Sequence, residues 1–251
     1  MVAFIFLCVQ VVLIAAITWL EQRRGRVASD WLRNLQAWAL NMGAGFILMP
    51  LIQGWNGATL LDGHALPFLI VFPILLLARD GAEFAFHVAQ HKVGFLWKMH
   101  SLHHSDPEMS AMTTNRHFWA DQVIKGLTVW PLVAVLISVT PAMMWAYAVV
   151  SLYNYFIHAN LRVNFGRWSW LLNSPAYHRR HHSRLPEHYD SNFAALFPIF
   201  DVIFRTYNQP DGWPPSGLDT APQRFGELVA WPFIKQEPDE APAEAQTPAQ
   251  A

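Results

Sequence analysis

His178-Arg179-Arg180-His181-His182 has the spacing His-x-x-His-His, and the same spacing occurs at His100-Ser101-Leu102-His103-His104. His87-Val88-Ala89-Gln90-His91 is a shorter relative. Positions i, i+3 and i+4 share one helix face, so each cluster is expected to aim its imidazoles at one point. Eight of the twelve histidines fall in these three groups. Neutral imidazole suits iron, zinc, copper and nickel. The spacing predicts metal ligation, with the remaining chain as the frame that brings the groups together.

Composition argues for a membrane frame. Of 251 residues, 53% are hydrophobic and only 14% are Asp, Glu, Lys or Arg, against about 25% charged in ordinary globular proteins. A net charge of −1 gives no basic surplus for nucleic acid. The single cysteine, Cys8, excludes an internal disulfide framework and any four-cysteine zinc or iron–sulfur site. Electrons, where chemistry needs them, come from a partner.

Val2 to Leu20 is apolar apart from Gln10 and Thr18, long enough to cross a bilayer. Its positive charges follow it at Arg23, Arg24 and Arg26, the reverse of a signal peptide, so it reads as an uncleaved span. Leu35 to Gln53 is a second apolar stretch, with Gly43 and Gly45 suited to close helix packing. Residues 53–64 read as a turn-rich loop. Pro67 to Ala78 is the third stretch, its helix continuing through Asp80 and Glu83 to His87 and His91. Lys125 to Val139 and Ala142 to Ile157 form a hairpin bent at Thr140-Pro141.

No Lys or Arg lies between Asn34 and Ala78, or between Gly126 and Leu161. The positive-inside rule therefore places all three histidine clusters in the cytoplasm and leaves His64 alone on the other side. Trp168, Trp170, Leu171 and Leu172 suit the headgroup layer. Phe193 to Phe204, broken by Pro198, is expected at the interface or packed on the site. From about residue 236 the chain is acidic, small and proline-rich, a composition that predicts a disordered tail.

His87, His91, His100, His103, His104, His178, His181 and His182 are the candidate ligands, enough for two metals. His158, closing the last span, and His117, before the hairpin, rank lower, and His188 lower still. Soluble di-iron bundles use Glu together with Glu-x-x-His, a pattern absent here. Asp80, seven residues before His87, is expected to accept from a ligand N–H. Glu83, Asp106, Glu108 and Asp190 have similar claims.

The ordered set resembles the fatty acid hydroxylase/sterol desaturase superfamily of integral-membrane di-iron enzymes. The resemblance covers roughly residues 76–207. It is carried by Asp80 with His87 and His91, by Trp97 to Glu108, by His158-Ala159-Asn160, and by Ser174-Pro175 with His178 to Arg184. It ends with Asn192-Phe193 and Asp201 to Tyr207. The chain departs from the usual pattern at Val88, at Arg116-His117-Phe118-Trp119, and at Phe200 and Arg205. The resemblance implies two iron ions, O2 as co-substrate, and oxidation of an unactivated C–H bond. It also implies Asn192 and Asp201, with Asp80, as supports around the ligands.

The expected protein is all-α and integral to the membrane, with about four transmembrane helices under a cytoplasmic cap of histidine-bearing helices. Its expected division is residues 1–75 for N-terminal spans, 76–210 for the catalytic part with the hairpin 125–157, and 211–251 for a C-terminal extension. Its expected location is the bacterial inner membrane, with the active site facing the cytoplasm. Hydroxylation of a lipid-like substrate is the leading reaction, and desaturation at the same site is the second. No cytochrome- or flavin-like segment accompanies the spans, which predicts a separate donor: a ferredoxin, a cytochrome or a reductase. A membrane zinc hydrolase needs only three ligands, an open position and a Glu base. A metal transporter needs ionisable groups at the membrane midplane. Both fit eight clustered histidines less well.

Overall fold

The structure, a computed structural model, describes residues 2–23, 30–53, 58–138 and 140–234. Every helix and extended bridge among them belongs to a helical frame. The α-helices are α1 (Val2–Arg23), α2 (Trp31–Gln53), α3 (Phe68–Lys92), α4 (Gly94–His104), α5 (Trp119–Leu136), α6 (Pro141–His158), α7 (Pro175–His181), α8 (Ile199–Phe204) and α9 (Phe225–Ala230). Among the described residues, extended pairing is confined to two isolated bridges, Leu61 with Ile137 and Ser183 with Ser216. The all-α expectation holds.

The long helix α3 sets the frame. Its buried positions Val71, Leu75, Arg79, Ala82, Phe86 and Gln90 recur at helical spacing, so one face turns inward along its whole length. The upper half of that face packs on Val129 and Val133 of α5 and on Met143 and Ala146 of α6. Burial of Leu75 and Met143, neither exposed at all, stabilises by roughly 1.5–3 kcal/mol each. Below them the same face becomes polar, and one turn later it carries His87 and His91. The apolar half of α3 thus anchors the helix, and the polar half delivers ligands.

The hairpin begins earlier than the sequence suggests, at Trp119, because Asp121, Gln122 and Lys125 continue the helix inward from the site. Pro141 stands at the first turn of α6, where its missing N–H has no helical partner to lose. The link between the two arms pairs with the segment after residue 58: Leu60 N donates to Val135 O at 2.9 Å and Ser138 N to Leu61 O at 3.0 Å. Helix α7 likewise opens on proline, and Ser174 Oγ accepts from Tyr177 N at 3.3 Å as its cap. The C-terminal extension packs behind α4, where Leu228 and Trp231 meet Met99 and Leu102.

One expectation needs correction. Among the described residues, no helix is long and apolar enough to cross a membrane. Helix α3 is interrupted by Arg79, Asp80 and Glu83; α5 carries Asp121 and Lys125; α6 carries Asn154 and three tyrosines. Eighteen residues each in α5 and α6 also give only about 27 Å of helix, against a hydrocarbon core of about 30 Å. The first two expected spans fall partly on residues 1–7 and 48–53, whose side chains lie outside the described set, as do residues 24–29, 54–57 and the expected tail from 236. The apolar stretch 193–204 divides at Pro198, as its sequence suggests. Phe193 and Ala194 are buried against the site, whereas Ile203 and Phe204 of α8 are exposed.

Candidate metal centre

The three histidine segments meet at the end of the bundle where α3, α4, α6 and α7 converge. Five histidines form one group, His87 and His91 from α3, His100 and His104 from α4, and His181 from α7. Four form a second: His103 from α4, His158 at the end of α6, and His178 and His182 from α7 and its C-cap. Within each group the candidate ligand atoms all lie within 4.8 Å of one another. The groups adjoin, with the rings of His104 and His182 stacked at 4.3 Å.

Each His-x-x-His-His segment therefore serves both groups, which corrects the expectation of one point per segment. On a helix, i+3 falls about 60° behind i and i+4 about 40° ahead, given 3.6 residues per turn. The three imidazoles fan over about 100°. His100 and His104 reach one group while His103 reaches the other. In α7 the order inverts, and His181 joins the first group while His178 and His182 join the second.

The ring nitrogens are arranged for an ion. Nδ1 of His87 faces the Phe193 carbonyl at 2.7 Å, that of His181 the Ser191 carbonyl at 2.8 Å, and that of His158 the Asn154 carbonyl at 2.7 Å. A carbonyl accepts only, so each Nδ1 carries the proton and each Nε2 is left with its lone pair. Those Nε2 atoms converge: His87 on His100 at 3.1 Å, and His158 on His103 at 3.1 Å and on His178 at 3.0 Å. Adjacent ligands about 2.1 Å from one ion stand about 3.0–3.4 Å apart, which these spacings match. The Nε2 atoms of His91, His104, His181 and His182 are buried with no hydrogen-bond partner, a costly state that a shared cation relieves. The donor set fits a pair of metal ions.

Residues 72–206, more than half of the chain, match the family model described as Fatty acid hydroxylase. The chain belongs to the fatty acid hydroxylase family. Curated relatives of this family member include the alkylglycerol monooxygenases of Xenopus tropicalis, 30% identical over 135 residues, and Homo sapiens, 31% identical over 133 residues. These matches cover 53% and 52% of this chain and 30% and 29% of those proteins. The ornithine lipid hydroxylase OlsE of Rhizobium tropici is 29% identical over 137 residues, 54% of this chain and 41% of that protein. The chain thus spans well under half the length of these relatives. No solved structure matches it.

In this family member the remaining predicted residues divide. His117 belongs to neither large group. It stacks on His103 at 4.2 Å and forms a smaller group with His100 and Asp121. Asp80 does not reach a histidine, contrary to expectation; its two oxygens accept from the backbone of Leu196 and Phe197 at 2.9 and 2.8 Å. The helix turns its carboxylate toward the 193–197 loop, and burial pushes it up to about 7. Asp201, wholly buried, accepts from Phe193 N, Ala194 N, Tyr177 Oη and Thr206 Oγ1 at 2.6–2.9 Å. Asn192, at φ 61°, accepts from Asn208 N at 2.7 Å and donates to the Asn208 carbonyl at 2.9 Å. Both hold the loop whose carbonyls orient His87 and His181. His188 Nδ1 contacts Ser183 Oγ at 2.8 Å, outside the groups.

Sequence reasoning missed Asp121. Its Oδ2 lies 3.3 Å from His117 Nδ1 and 3.9 Å from His100 Nδ1, and Gln90 donates to Oδ1 at 2.7 Å. The His117-x-x-x-Asp121 spacing was the available signal. A cavity of about 220 Å³ opens on the first group between His91, His104, His181, Trp97 and Tyr189.

Burial holds the imidazolium form of these histidines far down, to about 3 for His158 and His181. A folded-state pKa below the unfolded 6.5 means that the unfolded chain takes up protons first as pH falls. Stability from this cause is present above pH 6.5 and is lost progressively between 6.5 and about 3. The denaturation midpoint of the metal-free chain should fall across that window, and a flat midpoint from pH 7 to 4 would contradict the buried neutral cluster.

Proposed function

We propose that this chain is a membrane-bound oxygenase that inserts one atom of O2 into an unactivated C–H bond of a lipid-like substrate. The observation that carries the reading is the double cluster, nine imidazoles divided five and four, in a member of this family. The names of the relatives support hydroxylation over desaturation, and both name a lipid with a polar part. His87, His91, His100, His104 and His181 would hold one iron, and His103, His158, His178 and His182 the other. Two bound irons would supply O2 activation and the oxidising power to break a C–H bond.

The chain's own part is positioning and exclusion of water. The Phe193, Ser191 and Asn154 carbonyls hold three rings in one tautomer, and the Phe193 ring packs against His87, His91 and His181. Insertion of one oxygen atom and release of the other as water consumes two electrons and two protons. A separate ferredoxin, cytochrome or reductase would deliver the electrons.

Placement in a bilayer is part of this proposal. Large apolar side chains face outward on α2, α3 and α6, among them Phe46, Ile47, Leu69 and Trp145, and no Lys or Arg occurs from residue 35 to 78. Lipid around these helices, with the histidine end toward the cytoplasm, accounts for both. A zinc hydrolase reading lacks its Glu base, since neither large group contains a carboxylate.

The test is a lipid mass-spectral comparison of a deletion strain, the strain restored with this chain, and the strain restored with His181→Ala. A lipid heavier by one oxygen only with the intact chain is the expected result. A lipid lighter by two hydrogens would make the enzyme a desaturase, and three identical profiles at equal protein levels would end the oxygenase reading.

A further inference from the structure

A second cavity, about 350 Å³, lies between α2, α3, α5 and α6, and its wall includes Asn41, Arg79, His117, Lys125, Tyr147 and Asn154. Arg79 is 4% exposed. Its Nη2 lies 3.3 Å from one oxygen of Glu83, and Lys125 Nζ pairs with the other. Burial alone would push the Glu83 carboxyl up, but Lys125 and Arg79 hold it below the usual carboxylate range. Two cations face the Glu83 carboxylate, and Asp80 lies within electrostatic reach of Arg79 as well.

The hydrogen bonding is incomplete. Arg79 Nε and Nη1 and the Tyr147 hydroxyl are buried donors without a hydrogen-bond partner, beside two acceptors that also lack one, Asn41 Oδ1 and Glu83 Oε2. The Arg79 guanidinium lies 4.9 Å from the Tyr147 ring centroid, and that ring stacks on Trp130 at 4.2 Å. The stack fixes the orientation of a guanidinium whose Nε–H and Nη1–H, on its two opposite edges, each suit a single charge-assisted hydrogen bond to an oxyanion. A purely structural ion-pair network would leave these donors unpaid, and buried donors are nearly always satisfied.

The cavity also has the right neighbours. His117 stacks on His103 at 4.2 Å, and the Asn154 carbonyl holds His158, so the cavity shares a wall with the four-histidine group. Gly45 lines its other side, where an added Cβ would meet nothing within 4 Å. The residues beyond it, Phe46 and Ile47, are exposed and apolar. An acyl or alkyl chain has a way out there.

We propose that this cavity binds the anionic headgroup of the lipid substrate, a carboxylate or phosphate oxyanion held by Arg79 and Tyr147 and balanced by Lys125. The proposal rests on the lipid-oxygenase reading and deepens it: the carbon attacked lies a few bonds from the headgroup, not at the far end of the chain.

The test is binding, which needs no turnover. Iron-loaded full-length chain in uncharged maltoside detergent is titrated with radiolabelled oleoyl-lysophosphatidate, oleate and uncharged oleoylglycerol. Wild-type protein should bind the two anions at least about tenfold tighter than the neutral lipid, an effect of the size expected for charge-assisted hydrogen bonds. Arg79→Gln should abolish that preference and leave oleoylglycerol binding within about twofold. Glu83→Gln, which removes the competing carboxylate, should tighten anion binding severalfold, a gain that misfolding cannot produce. If Arg79→Gln loses its iron, the Glu83→Gln arm decides alone. Equal binding of charged and neutral lipids by the wild type overturns the proposal, as does a Glu83→Gln variant with unchanged anion affinity. Displacement of lysophosphatidate by an equal concentration of inorganic phosphate would make this a site for a free anion and overturn the headgroup assignment. Anion preference without any hydroxylated lipid would leave the site standing and remove the oxygenase reading; hydroxylation without anion preference would do the reverse.

Discussion

Paired histidine substitutions are expected to empty the site by spatial group and not by sequence segment. His100→Ala with His181→Ala removes two ligands from the five-histidine group although they lie in different segments. His103→Ala with His182→Ala does the same to the four-histidine group. Each double variant should retain about one iron per chain where the wild type is expected to hold about two, since the other group keeps a complete set of imidazoles. His181→Ala with His182→Ala, adjacent in sequence, takes one ligand from each group and should weaken both. All three should lower lipid oxidation by more than the roughly 10–100-fold that loss of an outer partner costs. Iron content of the purified variants decides the matter. If the cross-segment pairs lose both irons and the adjacent pair loses only one, the grouping is wrong.

Asp201→Asn should be the most damaging substitution outside the histidines. The carboxylate accepts four hydrogen bonds, two of them from the backbone of Phe193 and Ala194. Asparagine keeps one acceptor oxygen and turns an NH2 toward donors. At about 1–3 kcal/mol for each buried donor left unpaired, the loss should reach about 3 kcal/mol or more. That corresponds to a melting temperature lower by about 10 °C for a chain of this length. The second consequence is chemical. Phe193 N is held by Asp201 and Phe193 O orients His87, so loosening the loop should cut iron affinity about 10–100-fold. Thermal melting and iron titration of Asp201→Asn test both parts. A variant that melts with the wild type and binds iron as tightly would show that Asp201 does not anchor the site.

The sequence by itself picked out the histidines that the fold brings together. The repeated His-x-x-His-His spacing, with His87 and His91, named eight histidines, and the end of the hairpin named His158. All nine lie in the two large groups. The helical frame was equally legible, because long apolar runs with helical spacing have few other ways to bury themselves. The tertiary structure alone decided how the imidazoles are shared. Spacing along one helix says that His100, His103 and His104 lie within about 100° of arc, but the neighbouring helices determine which of them meet. The same limit explains Asp80 and Asp121. Helical periodicity placed Asp80 near His87, yet a carboxylate bonds whatever faces it, and the 193–197 loop brought two backbone N–H groups there. Asp121 reaches His100 only through the packing of α5 on α4, an approach across 21 residues of chain that local pattern does not encode. The polar cavity around Arg79 arises in the same way, from side chains of four helices whose juxtaposition exists only once the bundle has closed.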